Sequence, residues 1–260
     1  MDTATFLFDK IIFGPVRSRR LGLSLGINLL PVDSKLCNFD CIYCECGWTG
    51  TKGNKATRFH SRDDVRRKLE DVLIQLKEEK VYPDVITFAG NGEPTMHPEF
   101  SRIIDDTIKL RNTYLPMAKV AVLTNASMLD RKYVVDALKK ADLRILKLDA
   151  GTEYLFQKIN QPHSKKSLNW IVDHLQYFKG NLIVQSMFLK GLCNGEFIDN
   201  TTETNINAWL TLIEKIKPKQ VMLYSIDRAT AEKGLEKIPK DFLNELAIRV
   251  RKLGIDATVS

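Results

Sequence analysis

Four of the five cysteines of this 260-residue chain are gathered in one short segment. The segment KLCNFDCIYCECG (35–47) places Cys37, Cys41 and Cys44 at a C-x₃-C-x₂-C spacing, and Cys46 follows closely. The chain between these ligands is short enough to curl three thiolates around one inorganic cluster. Three ligands leave one iron without a protein donor. The spacing therefore predicts a cluster with one coordination position open to a substrate or cofactor.

A single zinc ion is the alternative for the same loop. Cys46 would then supply the fourth thiolate of a Cys₄ site formed with Cys37, Cys41 and Cys44. Structural zinc sites usually pair two separated C-x₂-C units, whereas here the cysteines crowd into one loop. The crowding favours the cluster, with Cys46 as a bystander thiol. The fifth cysteine, Cys193, is interpreted as a small core or loop residue.

A second motif, TFAGNGEPTMHPEF (87–100), follows the next predicted strand. It places Gly90, Gly92 and Glu93 directly after that strand, with Pro94 behind them. Glycine tolerates unusual backbone angles and lets the backbone approach a ligand closely. An ordinary strand-to-helix turn would have the same composition, so this motif alone does not decide between the two.

Polar residues also end two later strands. LTNAS (123–127) carries Thr124 and Asn125, and LKLDAG (146–151) carries Lys147 and Asp149. An ionisable residue on an apolar strand needs a partner or a wet face. Because side chains alternate along a strand, residues 147 and 149 share a face. Ligand contacts, turn roles and a salt bridge inside the fold all remain open for these residues.

Alternating β-branched runs and amphipathic stretches must position these motifs. The predicted strands are 21–30, 85–90, 119–125, 144–150, 182–189 and 220–226, and the predicted helices are 61–79, 98–111, 130–140, 152–160, 167–178, 203–216 and 240–253. Repeated βα units imply an α/β fold with parallel strands and right-handed crossovers. A doubly wound sheet and a barrel both satisfy this pattern. In either fold, the motifs lie at the carboxyl ends of strands, where α/β proteins place their chemistry.

The composition bounds the class of protein. No linker or low-complexity segment interrupts the chain, which predicts one domain over 1–260 with an N-terminal extension, 1–20, before the cluster loop, 37–46. The net charge of +7 is compatible with an anionic substrate or RNA, and equally with solvated surface lysines and arginines. The N-terminal residues do not have the pattern of a signal peptide, and the sequence contains no apolar run long enough to span a membrane. We expect a cytoplasmic protein with reduced thiols and no membrane partner.

The cysteine spacing, with Tyr43 before the last ligand, resembles the signature of the radical S-adenosylmethionine (SAM) superfamily. The resemblance implies a partial (β/α)₆ TIM-like barrel and a [4Fe–4S] cluster held by Cys37, Cys41 and Cys44. In that superfamily the open iron chelates the methionine part of SAM. An electron from the reduced cluster breaks the S–C5′ bond, which yields methionine and a 5′-deoxyadenosyl radical that abstracts hydrogen from substrate.

The resemblance also assigns contacts to SAM. The segment from Gly90 to Pro94 is similar to the family segment that contacts the methionine amino group, so Gly90, Gly92 and Glu93 are implied contacts. Thr124 and Asn125 match residues near the methionine carboxylate, and Asp149 matches a polar residue near the carboxylate or ribose. Lys147 is a second candidate on the same strand.

The opening block FGPVRSRRLG (13–22) resembles a superfamily branch loosely related to the wyosine-forming tRNA-modifying enzymes. Arg17, Arg19 and Arg20 would then face an anionic substrate or form ion pairs at the first strand. The known wyosine-forming enzymes carry further cysteines for a second cluster, and Cys46 and Cys193 are too few for one. We therefore do not expect this protein to have the tRNA-modifying activity of those enzymes.

Three functional hypotheses follow. The first is a radical SAM enzyme, of oxidoreductase type, that acts on an unknown small molecule or RNA. The second is an activase that places a radical on a partner protein. The third is a non-catalytic zinc module that uses Cys37, Cys41, Cys44 and Cys46. Either radical hypothesis requires an electron donor such as flavodoxin or ferredoxin.

Overall fold

A mostly parallel sheet carries the motifs in the computed structural model, which describes residues 5–50 and 59–260. Its strands are β1 (Ile12–Ser18), β2 (Gly22–Ile27), β3 (Val85–Phe88), β4 (Lys119–Thr124), β5 (Leu143–Lys147), β6 (Ile183–Cys193), β7 (Glu196–Asp199), β8 (Gln220–Ser225), β9 (Gly234–Lys237) and β10 (Asp256–Val259). Its helices are α1 (Arg62–Glu78), α2 (Phe100–Tyr114), α3 (Lys132–Lys140), α4 (Glu153–Asn160), α5 (Leu168–Leu175), α6 (Glu203–Ile216) and α7 (Lys240–Lys252).

The strand order along the main path is β1-β2-β3-β4-β5-β6-β8-β10. Every pair from β2 to β10 on this path is parallel, as the predicted βα units require. Strand β3 is buried along its whole length, which is typical of a parallel strand covered on both faces. The sheet is open, with β1 at one edge and β10 at the other. The predicted partial barrel is confirmed.

The helices close to the motifs form for reasons visible in the sequence. Ser61 caps α1 by accepting a hydrogen bond from the backbone of Asp64, as predicted. The buried face of that helix consists of Val65, Leu69, Leu73 and Leu76. None of the helices within the described residues is long and apolar enough to cross a membrane.

Four strands were not predicted. Strand β1 falls inside the predicted N-terminal extension, of which residues 1–4 lie outside the described part, and pairs with β2 in antiparallel fashion. Strand β6 is longer than predicted, because its second half leaves the barrel and pairs with β7 and β9. Strand β10 adds a further parallel strand beside β8. Exposed polar residues obscure the strand pattern of β7, β9 and β10, and Gly14 and Pro15 interrupt that of β1.

Helix α6 is anchored to the strand ends through Trp209, a fully buried side chain. The indole Nε1 donates hydrogen bonds to the Leu148 carbonyl oxygen (3.1 Å) and to Ser186 Oγ (3.2 Å). A methyl group on Gly151 would lie 2.3 Å from the Trp209 backbone nitrogen, so only glycine permits this contact. Trp209 therefore fixes the carboxyl end of β5, next to Asp149, and the first half of β6.

Replacing Trp209 by Phe removes both hydrogen bonds and leaves a small void. We expect Trp209→Phe to lower the free energy of unfolding by about 2 kcal/mol, or Tm by about 5 °C. The control is Trp170→Phe, at a half-buried tryptophan that stacks on His174 at the surface, for which we expect a shift below about 2 °C. Thermal melts followed by circular dichroism measure both, and equal shifts would contradict the anchoring role.

Candidate cofactor site

The carboxyl ends of the parallel strands surround a cavity of about 260 Å³. The structure brings most of the predicted site residues to it, from four separate parts of the chain. Those lining the cavity are Cys37, Cys41 and Cys44 from the loop after β2, Gly90, Gly92 and Glu93 after β3, Thr124 and Asn125 at the end of β4, and Lys147 on β5.

The cysteine loop is docked on the glycine turn that follows β3. Leu36 forms a bridge with Gly92, and the Glu93 backbone nitrogen donates to the Leu36 carbonyl oxygen (3.1 Å). A Cβ on Gly92 would lie 1.8 Å from that same oxygen, and the φ of Gly92 is 137°. Glycine is therefore required at position 92 by the close approach of the loop.

The other side of the loop rests on the end of α4. The backbone nitrogen of Ile42 donates to the Ile159 carbonyl oxygen (2.9 Å), and that of Asp40 donates to the Gln161 carbonyl oxygen (3.1 Å). Phe39 forms a bridge with Pro162. The loop is thus held from two sides by backbone hydrogen bonds, so the positions of its thiols are defined by the fold.

The four thiols of the loop are free; Cys41 is buried, and Cys37, Cys44 and Cys46 are partly buried. Burial raises the pKa of the Cys37 and Cys41 thiols, so a metal that binds them must displace protons. The Cys41 sulfur accepts a hydrogen bond from Asn160 Nδ2 at 3.5 Å. Contact with Cys46 lowers the pKa of Cys44 to about 6 and raises that of Cys46. Cys46 lies in the same cavity, with its sulfur 3.6 Å from the Gly90 carbonyl oxygen.

A buried lysine lies behind the cysteines. Lys35 Nζ donates to Asp40 Oδ1 (3.0 Å) and to the Gly47 carbonyl oxygen (2.9 Å), and its side chain is 1% exposed. Burial alone would lower the pKa of Lys35, but the nearby thiols and Asp40 raise it above its usual value. Lys35 is therefore a permanent cation that favours negative charge on Cys37, Cys41 and Cys44.

Glu93 joins the turn after β3 to the end of β4. Its Oε1 accepts from the Thr95 backbone (3.1 Å), the Thr95 hydroxyl (2.5 Å) and the Thr124 hydroxyl (2.7 Å), and its Oε2 accepts from the Asn125 backbone (2.7 Å). Burial raises the pKa of Glu93 although these hydrogen bonds oppose the shift. Because Oε1 already accepts three hydrogen bonds, a further donor would bind to Oε2.

The side chain of Asn125 reaches back to the cysteine loop. Its Nδ2 donates to Asn38 Oδ1 (2.9 Å) and lies 3.7 Å from Cys37 Sγ, while its Oδ1 accepts from the Ser127 backbone (3.0 Å). Glu93 and Asn125 thus connect three of the site segments to one another. The neighbouring Thr124 hydroxyl is occupied too, because it accepts from the Ala126 backbone (3.1 Å) while donating to Glu93.

Lys147 and Asp149 form a buried charge pair with Tyr43 between them. Lys147 Nζ lies 3.5 Å from Asp149 Oδ2, and it donates to the Tyr43 hydroxyl, which in turn donates to Asp149. Asp149 also accepts from Asn160 Nδ2 (2.7 Å) and from the Met187 backbone (2.9 Å). Burial would lower the pKa of Lys147, but Asp149 raises it, so the ammonium group stays charged.

Residues 32–199 match the family model described as the radical SAM superfamily. The chain belongs to this superfamily. Its members use SAM and an iron–sulfur cluster, so the match agrees with the cysteine signature.

The curated relatives of this radical SAM chain include proteins with no described activity. The UPF0026 protein of Methanocaldococcus jannaschii is 33% identical over 87% of this chain and 66% of its own length. The UPF0026 protein of Helicobacter pylori J99 is 33% identical over 86% of this chain and 68% of its own. A Brachyspira hyodysenteriae protein named GTPase Obg is 31% identical over 95% of this chain. This chain spans only 36% of that protein's length.

Solved structures share the fold at low sequence identity. A radical SAM methyltransferase from Sphaerobacter thermophilus superposes with a TM-score of 0.67 and 15% identity, over 91% of this chain and 65% of its own. SuiB of Streptococcus suis bound to SAM gives 0.61 and 15% identity, over 88% of this chain and 49% of its own. Archaeal TYW1, a wyosine-type enzyme, gives 0.55 and 14% identity, over 88% of this chain and 71% of its own.

The donors in the cavity fit the two groups that the radical SAM superfamily uses. Soft thiolates select iron–sulfur clusters and zinc over hard cations. In the described part of the chain, no three Cys, His, Asp or Glu side chains are arranged to hold one metal ion. The backbone of Gly90 and Gly92, the amide of Asn125 and the ammonium of Lys147 supply polar contacts of the kind that an amino-acid group needs.

The structure separates the predicted SAM contacts into two sets. Gly90, Gly92, Glu93, Thr124 and Asn125 line the cavity, whereas Asp149 is buried behind its lining, where it orients Lys147 and Tyr43. Sequence reasoning missed Lys35 and Asn160, which contact the cysteine loop. The short spacing between Lys35 and Cys37 was the available signal for the first. Asn160 left no local signal, because its contact with Cys41 depends on how α4 packs.

In Asp149→Asn, the NH₂ group of the new amide would face Tyr43, Asn160 or the Met187 backbone, which already donate hydrogen bonds to position 149. We expect Asp149→Asn to cost about 3 kcal/mol of unfolding free energy, since Lys147 loses its buried counter-charge. Urea unfolding of the cluster-free protein measures the change. The matched control is Asp136→Asn, at an exposed residue paired with Lys132, which should leave the urea midpoint unchanged. Equal midpoints for the two variants would show that the Asp149 contacts do not hold the site together.

Proposed function

We propose that this chain is a radical SAM enzyme whose Cys37, Cys41 and Cys44 hold a [4Fe–4S] cluster. The observation that carries the proposal is that the three thiols face one cavity, together with the turn after β3 and the end of β4. When bound, the cluster and SAM would supply the chemistry of the superfamily, which is reductive cleavage of the S–C5′ bond and abstraction of hydrogen from substrate. Since the protein's part is to position and shield these groups, the burial of the loop supports this role.

Different residues of the cavity lining suit the amino group and the carboxylate of SAM. The amino group of a methionine could donate hydrogen bonds to the backbone of Gly90 and Gly92 and to Glu93 Oε2, which accepts only one bond within the described residues. Lys147 supplies a fixed positive charge on the side of β5, which suits the carboxylate. Thr124 and Asn125 keep these segments in place through the hydrogen bonds to Glu93 and Asn38.

A one-electron donor must reduce the cluster, and we propose a small redox protein of the flavodoxin or ferredoxin type. The substrate belongs to the proposal in class only, as a molecule with an abstractable hydrogen. The zinc module is the rival hypothesis, because Cys46 lines the same cavity and contacts Cys44. Against it, no three Cys, His, Asp or Glu side chains in the described part of the chain are arranged to hold a single ion.

Anaerobic reconstitution with iron and sulfide tests the proposal directly. We expect a brown protein with about four irons per chain, bleached by dithionite, that releases 5′-deoxyadenosine from SAM. Iron content, visible absorption and product chromatography provide three independent readings. A colourless protein that retains one zinc and forms no 5′-deoxyadenosine would refute the proposal.

Single cysteine variants distinguish the ligands. Cys41→Ala removes a ligand and should reduce both iron content and 5′-deoxyadenosine to background. Cys46→Ala is the matched control from the same loop and should retain both. If Cys46→Ala also lost the metal, all four thiols would be ligands and the zinc module would be the better description.

A further inference from the structure

The turn of the β1–β2 hairpin sends two neighbouring arginines in different directions. Arg19 NH1 pairs with Asp227 Oδ2 at 3.2 Å on the surface, where its side chain is 40% exposed. Arg20 points inward, and its guanidinium carbon lies 4.4 Å from the centre of the Tyr224 ring. Both partners lie on or just after β8, so the two side chains cross the open side of the sheet.

The backbone holds Arg20 in this position. Ser18 Oγ accepts from the backbone nitrogen of Arg20 (3.3 Å) and from that of Leu21 (3.2 Å). Asp84 Oδ2 accepts from the backbone nitrogen of Leu23 (2.7 Å), which ties the start of β2 to β3. The inward direction of Arg20 is therefore built into a fixed turn.

The Arg20 guanidinium lines the same cavity as the three cysteines, and so does Tyr224. Its NH1 is buried and has no hydrogen-bond partner among the described residues. A guanidinium has five N–H donors and no acceptor, and a buried donor without a partner is costly. The Tyr224 ring covers one face of the Arg20 guanidinium. The NH1 edge is therefore the part of the guanidinium that can donate hydrogen bonds to a ligand.

The other charged groups of the cavity lining already have partners inside the protein. These pairs are Lys35 with Asp40, Lys147 with Asp149, Glu45 with Arg228 and Glu93 with the Asn125 backbone. A guanidinium offers a planar fork that matches the two oxygens of a carboxylate or phosphate. Arg20 is thus the lining cation whose geometry is suited to an incoming oxyanion.

We propose that Arg20 binds a carboxylate or phosphate oxyanion of a small acidic substrate, on the β8 side of the cavity. This inference rests on the proposed function, since it assigns the substrate of the same site. The predicted SAM contacts come from the turn after β3 and the ends of β4 and β5, whereas Arg20 lies against β8. Of the three arginines in the hairpin, Arg17 is exposed and Arg19 is paired with Asp227, which leaves Arg20 for the substrate.

The test measures anion binding to the reconstituted, SAM-loaded protein without reductant, so that no turnover occurs. Inorganic phosphate and malonate are titrated separately by calorimetry, which distinguishes a phosphate site from a carboxylate site. We expect at least one of them to bind, and Arg20→Gln to weaken that binding by at least about tenfold. Arg20→Lys, which keeps the charge but loses the fork, should give an intermediate loss.

Arg19→Gln is the matched control from the same turn and should bind the anion within about twofold of wild type. The affinity for SAM, measured by equilibrium dialysis, should be unchanged in Arg20→Gln, and circular dichroism verifies that the variant folds. The inference is overturned if neither anion binds, if Arg19→Gln loses as much affinity as Arg20→Gln, or if Arg20→Gln binds SAM more weakly. Failure to assemble a cluster or bind SAM would instead contradict the proposed function, so the two failures are distinguishable.

Discussion

The contact between the Leu36 carbonyl oxygen and the backbone at Gly92 is the constraint on which the rest of the site depends. It lets the cysteine loop lie directly on the turn after β3, because a side chain at position 92 would collide with that oxygen. The same turn carries Glu93, whose carboxylate binds the end of β4. Loop, turn and strand end are therefore one hydrogen-bonded unit, which ties the positions of the thiols to the sheet.

Burial explains why so many charged groups surround these thiols. A buried cation is costly unless an opposite charge or a carbonyl group compensates it. Lys35 is compensated by Asp40 and Gly47, and Lys147 by Asp149 and the Tyr43 hydroxyl. Both ammonium groups remain charged because of these partners, and both then act on the thiols across a region of low dielectric constant. The charges beside the thiols are therefore arranged as buried pairs, Lys35 with Asp40 and Lys147 with Asp149.

The sequence predicted the parts of the fold that rest on periodicity and on local chemistry. Patterns within single segments predicted the parallel strands β2, β3, β4, β5, β6 and β8 and the seven helices α1 to α7. They also predicted that the cysteine loop and the turn after β3 lie at the same edge of the sheet. The features that the sequence did not predict depend on contacts between residues that are distant along the chain. Strand β1 is interrupted by Gly14 and Pro15, so its sequence has no polar–apolar alternation that would predict its pairing with β2. The position of Asp149 behind Lys147, and not at the cavity surface, followed from Tyr43 and Asn160, which are distant in sequence or on another element.

The barrel is open on the side where the β1–β2 hairpin faces β8, and Arg20 lies on this side. Two side-chain contacts join the β1–β2 hairpin to β8 and the residues just after it: Arg19 with Asp227, and Arg20 on Tyr224. Exposed ion pairs contribute little and are screened by salt, whereas strand ladders resist separation. This side can therefore widen without loss of backbone pairing. Arg20 lines the cavity on this side, beside Tyr224, as its proposed role in binding an acidic substrate requires.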